Sequence, residues 1–165
     1  MNMPKTVQPV ADFKLSRYLG KWYEVARLDH FFERNMDYVT AEYGLNDDGS
    51  VSVLNRGFLS TRGVWKEIKG RAKFVDSEQK GYLKVSFFGP FYGSYIIFNL
   101  DKSEQDLYQY AFISGPNTDY LWLLSRTPNV SEAVMEKFVD TAKEKGFNTE
   151  KIIWVRQIKA NDKLL

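Results

Sequence analysis

Few side chains in this sequence are equipped for bond-making chemistry. There is no cysteine and a single histidine, His30, next to Asp29. That composition removes disulfides, thiolate metal sites, cysteine nucleophiles and any multi-histidine metal centre within the chain. No nucleophile motif, phosphate-cradling loop or metal-ligand set stands out, so neither a metal nor a cofactor is expected. The remaining candidate is Glu24, in the stretch Gly20-Lys21-Trp22-Tyr23-Glu24-Val25-Ala26-Arg27-Leu28. On a strand it shares the face of Trp22, and a buried carboxylate needs a partner or a raised pKa. Arg126 or a tyrosine hydroxyl is the expected partner. Glu24 with Tyr110 is also the acid–base pair that a barrel enzyme would need, an isomerase or cyclase acting on a hydrophobic substrate. A structural ion pair is the weightier reading, because such pairs perturb pKa values without catalysing anything. His30 reads as a polar loop residue, since a mechanism needs several roles filled in one place. Asn129-Val130-Ser131 matches a glycosylation sequon, but Ser131 is better placed as a helix cap.

The elements that must position these groups are mostly strands. Aromatic residues make up 16% of the 165 residues, and they favour pleated, half-buried surfaces. Period-two patterns run over about 20–28, 38–45, 50–58, 64–74, 82–88, 94–100, 107–114 and 120–126. Turn signals separate them, the strongest being Asn46-Asp47-Asp48-Gly49. A helical stripe of Val134, Met135, Phe138, Val139 and Ala142 comes only afterwards, between Ser131 and Gly146, and a ninth strand is expected over 152–157. With no linker or repeat, residues 1–11 read as an extension, 12–158 as one domain and 159–165 as a polar tail.

An eight-strand meander leaves two raw edges unless it closes. The expected fold is therefore an all-β, eight-stranded antiparallel up-and-down barrel, with the helix packed on its outer wall and a short ninth strand. Barrels of this size hold one small ligand. Loops must alternate between the two ends, which carries Trp22, Arg126 and the turn at 101–106 to one of them. A guanidinium over an indole is favourable by about 0.5–2 kcal/mol, so Gly20, Trp22, Asp101 and Arg126 are expected to close that end. The other end receives the long 29–37 loop with Phe31 and Phe32, and the 89–93 loop with Phe91. Side-chain alternation then nominates the lining: Ala26 and Leu28; Val39, Ala41 and Tyr43; Val53; Ile68 and Ala72; Val85 and Phe87; Tyr95 and Ile97; Trp122. Tyr110 and the mouth residues Phe31 and Phe91 complete the candidate ligand-contacting set.

The residues of the closed end also carry a resemblance. Gly20-Lys21-Trp22 resembles the G-x-W signature of lipocalins, and Ser125-Arg126 the arginine motif ending their eighth strand. Leu100-Asp101-Lys102 keeps only the Asp of the family's middle motif. Longer blocks are similar to the bacterial lipocalin subgroup of outer-membrane lipoproteins: Arg17 to Glu24, Lys84 to Gly93 and Asp119 to Pro128. The resemblance spans about 12–157. It implies binding of fatty acids, phospholipids or lysophospholipids in the barrel, for membrane maintenance or lipid transport under stress. It also implies attachment to the periplasmic face of the outer membrane through a lipid anchor on a precursor cysteine, which this sequence lacks, and it is compatible with a homodimer. A fatty-acid-binding-protein-like cytosolic carrier fits less well, since its helices follow the first strand, not the eighth. The net charge of +2 with interspersed signs gives no reason to expect nucleic acid. The first twelve residues have no apolar core of the signal-peptide kind. That fits either a cytosolic protein or a chain whose export signal has been removed.

Overall fold

The computed structural model describes residues 1–101 and 106–157. Most of the turn expected at 101–106, the end of the barrel domain at 158 and the tail at 159–165 therefore lie outside the described residues.

Eight strands follow one another: β1 (Gly20–Leu28), β2 (Met36–Leu45), β3 (Val51–Leu59), β4 (Val64–Phe74), β5 (Tyr82–Phe88), β6 (Phe91–Leu100), β7 (Tyr110–Ser114) and β8 (Leu121–Ser125). Each pairs antiparallel with the next, and β1 pairs with both β2 and β8, so the sheet closes on itself. The Asp-Gly signal delivers its turn: Gly49 has φ +87°, and the Asn46 amide donates to the Ser50 carbonyl at 2.8 Å.

The helix α1 (Glu132–Glu144) starts where the Ser131 hydroxyl accepts from the Val134 amide, satisfying one of the free amides of the first turn. It buries Phe138 and Ala142 against the outer wall, with the Phe138 ring edge-on to Phe112 at 5.1 Å. A short β9 (Ile152–Trp154) then pairs with Ala26–Leu28, alongside the half of β1 that has parted from β2. The segment after it fills that seam. The Val155 amide donates to the Val25 carbonyl, the Tyr38 amide to the Arg156 carbonyl, and the Gln157 Nε2 to the carbonyls of Glu24 and Val39. Residues 1–11 lie against the barrel, with Val7 buried and Val10 exchanging backbone hydrogen bonds with Gly81 and Ile97.

Two apolar clusters result, one on each side of the wall. The inner one gathers Trp22, Ala41, Tyr43, Val53, Ala72, Ile97, Ala111 and Ile113 among others. The outer one, under α1, holds Ala26, Leu28, Ile96, Phe112, Leu123 and Phe138. Ala26 and Leu28 are thus corrected: expected in the lumen, they face the helix. The cause is a β-bulge. Glu24 is paired with Leu124, but Ala26 is paired with Leu123, so Val25 is extra and every later side chain of β1 changes face. Tyr110 is corrected too, since it packs in the outer layer and its hydroxyl accepts from Lys137 Nζ at 3.0 Å.

Candidate functional site

The closed end is built as alternation of loops requires. The Arg126 guanidinium lies 3.9 Å from the centre of the Trp22 ring. It also donates to the carbonyls of Tyr108, Lys21 and Arg17, while the Trp22 indole donates to the Tyr18 carbonyl at 2.8 Å. Gly20 has φ +102°, and a Cβ there would sit 3.3 Å from Arg126 Nη1, so glycine serves both the turn and the close approach. Asp101 follows the end of β6, and its Oδ1 accepts from the amides of Gln109 and Tyr110 at the start of β7.

Above the floor, three phenols meet. Tyr95 hydrogen-bonds to both Tyr18 and Tyr43, the latter at 2.8 Å. Burial pushes the hydroxyls of Tyr18 and Tyr95 well above their ordinary pKa and raises that of Tyr43 as well. All three stay protonated, giving the lumen a neutral polar patch.

Further up, the bulge that turns Ala26 and Leu28 outward turns Arg27 inward. Arg27 is buried and pairs with Glu24 Oε2 at 3.0 Å, donating also to the carbonyls of Glu33 and Met36. A 3-10 turn at Phe31–Glu33 folds the long loop over this group. There the Glu33 carboxylate accepts from His30 Nε2 at 2.5 Å and from the Trp122 indole at 2.8 Å. Burial, then the neighbouring Glu33, holds the Glu24 carboxyl well above its usual range, with Arg27 offsetting only part of this. Burial would raise Glu33 as well, but the hydrogen bond from His30, the neighbouring Glu24 carboxyl and the Trp122 bond lower it to about 2. The two neighbouring carboxyls are thus shifted in opposite directions. Arg27 Nε and His30 Nδ1 are buried with no partner among the described residues, leaving two nitrogens that can hydrogen-bond a polar ligand atom.

Glu24 therefore faces the lumen as its parity implies, but its partner is Arg27 and not Arg126. His30, expected as an ordinary loop residue, has a buried side chain packed edge-on against Trp122 at 5.3 Å. Arg27 and Glu33 were invisible to alternation. A signal did exist: Glu24 and Arg27 are three apart, on opposite faces of a regular strand, and two charges in one buried strand need each other.

The remaining lining residues fall as follows. Ala41, Tyr43, Val53, Ala72 and Ile97 are buried in the inner cluster, with Val85, Phe87, Tyr95 and Trp122 packed against it. Ile68 shares that face, since it pairs with Asn55, which pairs with Ala41. Val39 is buried against the backbone of Gly57. Phe31 and Phe91 do not line the interior: with Phe32 and Phe88 they stand out around the Phe31–Glu33 turn and the β5–β6 hairpin of the open end, 81%, 77%, 64% and 63% exposed.

The model of the lipocalin-like domain matches residues 13–157 of this chain. The chain is a lipocalin. Among its relatives, the outer membrane lipoprotein Blc of Vibrio cholerae is 59% identical over 95% of this chain and 90% of its own length. The protein of the same description from Escherichia coli K12 is 47% identical, over 93% of this chain and 85% of its own. The temperature-induced lipocalin-1 of Arabidopsis thaliana is 32% identical over 92% and 83%. In architecture this lipocalin is similar to insecticyanin of the tobacco hornworm Manduca sexta, with TM-score 0.74 at 21% identity over 96% of this chain and 88% of that one. The two signatures at the closed end of this lipocalin are thus the two halves of one contact, Trp22 under Arg126.

Proposed function

We propose that this lipocalin binds and carries or stores lipids, namely fatty acids, phospholipids or lysophospholipids, with the acyl chain in the barrel. The observation that carries the reading is the contrast between the two ends. One is sealed by Trp22, Arg126 and the phenol patch, whereas the other is rimmed by four exposed phenylalanines. An acyl chain passing that rim meets Ile68, Val85, Phe87, Ile97 and Trp122, and gains about 0.8 kcal/mol for each CH₂ taken out of water. Exposed aromatics of this kind also favour the interfacial layer of a bilayer, from which such a ligand comes.

The likeness to outer membrane lipoproteins over nearly the whole chain supports a bacterial outer-membrane address and a role in membrane maintenance under stress. Attachment would be through a lipid anchor that these residues do not carry. A carrier is favoured over an isomerase or cyclase, because Glu24 and Tyr110 lie on opposite faces of the wall. The test is calorimetric titration of delipidated protein with fatty acids of increasing length. Affinity is expected to rise by roughly fourfold per CH₂ until the lumen is filled. Failure to bind any fatty acid or lysophospholipid refutes the reading.

A further inference from the structure

The barrel has a second seam, and among the described residues no strand bridges it. The ladder between β4 and β5 covers Arg71–Phe74 against Leu83–Ser86, so Val64–Gly70 runs on towards the open end without a partner strand on that side. Where the strands part, Gly70 lets the Phe87 ring lie against the backbone: a Cβ there would be 2.6 Å from Phe87 Cδ1 and 2.7 Å from the Ser86 carbonyl oxygen. Outside this point lies an open pocket of about 400 Å³, lined by Lys69, Gly70, Arg71, Ser86, Phe87 and Tyr92 together with Gly89.

Its chemistry is cationic. Lys84 and Lys73 stand over the Tyr92 ring at 4.9 and 5.9 Å, adding two charges to those of Lys69 and Arg71. Of the four, only Arg71 has an acidic partner among the described residues, Asp48 at 3.2 Å. Ser86 is only 8% exposed, and its Oγ is buried without a hydrogen-bond partner among the described residues. A buried hydroxyl left unpaired is costly and marks a missing partner. Three uncompensated lysines beside a free hydroxyl suit a phosphoryl group, which carries a charge of about −1.5 to −2 and several acceptor oxygens at neutral pH.

We propose that the β4–β5 seam is a phosphoryl-binding site, with Lys69, Lys73 and Lys84 supplying charge and the Ser86 hydroxyl donating a hydrogen bond. The phosphomonoester headgroup of a 1-acyl-glycerol-3-phosphate or free inorganic phosphate has this chemistry. In the lipid form, which rests on the carrier reading, the acyl chain turns in past Phe87 towards Val85 and Ile68. The unbridged seam then serves as a side entrance for the headgroup.

Calorimetry at low salt decides it, with three probes below their aggregation limits: 1-acyl-glycerol-3-phosphate, the monoacylglycerol of the same chain, and sodium phosphate. The wild type is compared with Lys69→Ala/Lys84→Ala and with Ser86→Ala, all checked by thermal melting. The phosphorylated lipid is expected to bind about tenfold tighter than the monoacylglycerol, with the gap shrinking to roughly twofold in the double variant. Ser86→Ala should narrow it by about threefold, and monoacylglycerol affinity should not move. Phosphate binding lost in both variants, with an unaltered lipid gap, assigns the site to free phosphate. If neither lipid binds, the carrier reading fails and the phosphate titration alone still decides the site. A headgroup gap and a phosphate isotherm both unchanged by the variants overturn the proposal.

Discussion

Replacing Arg126 with alanine tests whether the signature residues act as a floor. The guanidinium makes three hydrogen bonds to carbonyls and one contact with an indole face. The bond to the Lys21 carbonyl is solvent-exposed and counts for little. The bonds to the Tyr108 and Arg17 carbonyls are partly buried and are worth about 1 kcal/mol each. The cation–π contact adds about 1 kcal/mol. Arg126→Ala should therefore lose about 3 kcal/mol, which lowers the melting midpoint of a chain this size by roughly 6–12 °C. Arg126→Lys keeps the charge over the ring but cannot span three carbonyls, so it should recover only about 1 kcal/mol of that loss. Urea unfolding followed by tryptophan fluorescence gives both values. Fatty-acid affinity per folded molecule should stay within about twofold of wild type. The reasoning is refuted if alanine costs less than about 1 kcal/mol, if lysine restores full stability, or if the folded variant loses its ligand.

The bulge in β1 makes a separable claim. Leu28→Ala should cost about 2–4 kcal/mol, as for a buried leucine under a helix, yet leave fatty-acid affinity unaltered, and a marked loss of affinity would put Leu28 back in the lumen. The Glu24–Glu33 pair sets a pH profile with two limbs. Glu33, lowered from 4.5 to about 2, contributes stability that is present above pH 4.5 and is lost as pH falls towards 2. Glu24, raised from 4.5, binds its proton more tightly in the folded state, so stability falls as pH rises from 4.5 through its folded value. Glu24→Gln keeps an acceptor for Arg27 and removes only the second limb. In urea titrations it should match wild type near pH 4.5 and exceed it at about pH 8; parallel profiles would count against the assignment.

The fold was legible because its signals are short-range and repeated. Turn residues at Asn46–Gly49, alternation along each strand and one late helical stripe leave few topologies open, and loop alternation then brings Trp22 to Arg126. The lumen was less legible, and β1 shows why. Alternation assigns faces by counting, so one extra residue at Val25 inverts every assignment beyond it. The three errors have two sources. Ala26 and Leu28 follow the bulge. Tyr110 lies one residue out of phase with Ala111 and Ile113, the inward residues of its own strand. His30 and Glu33 sit in a loop, where no period exists to aim them, and only the fold of the 3-10 turn brings them onto Trp122.

The same inversion makes the two sides of the lumen unlike. On the β1 and β8 side, Glu24, Arg27, Glu33 and His30 form a polar knot that ties the long loop down over the wall. The seam there is closed from outside by the 152–157 segment. On the β4 and β5 side the inner wall is apolar, and among the described residues no further strand covers its seam, where Phe87 lies over Gly70. A regular β1 would have buried Leu28 inside, pointed Arg27 at the helix and left Glu24 without its counter-ion. The knot costs desolvation that an apolar patch would not. What it gains is a tied-down loop at one edge of the mouth, opposite the edge where the proposed phosphoryl site lies.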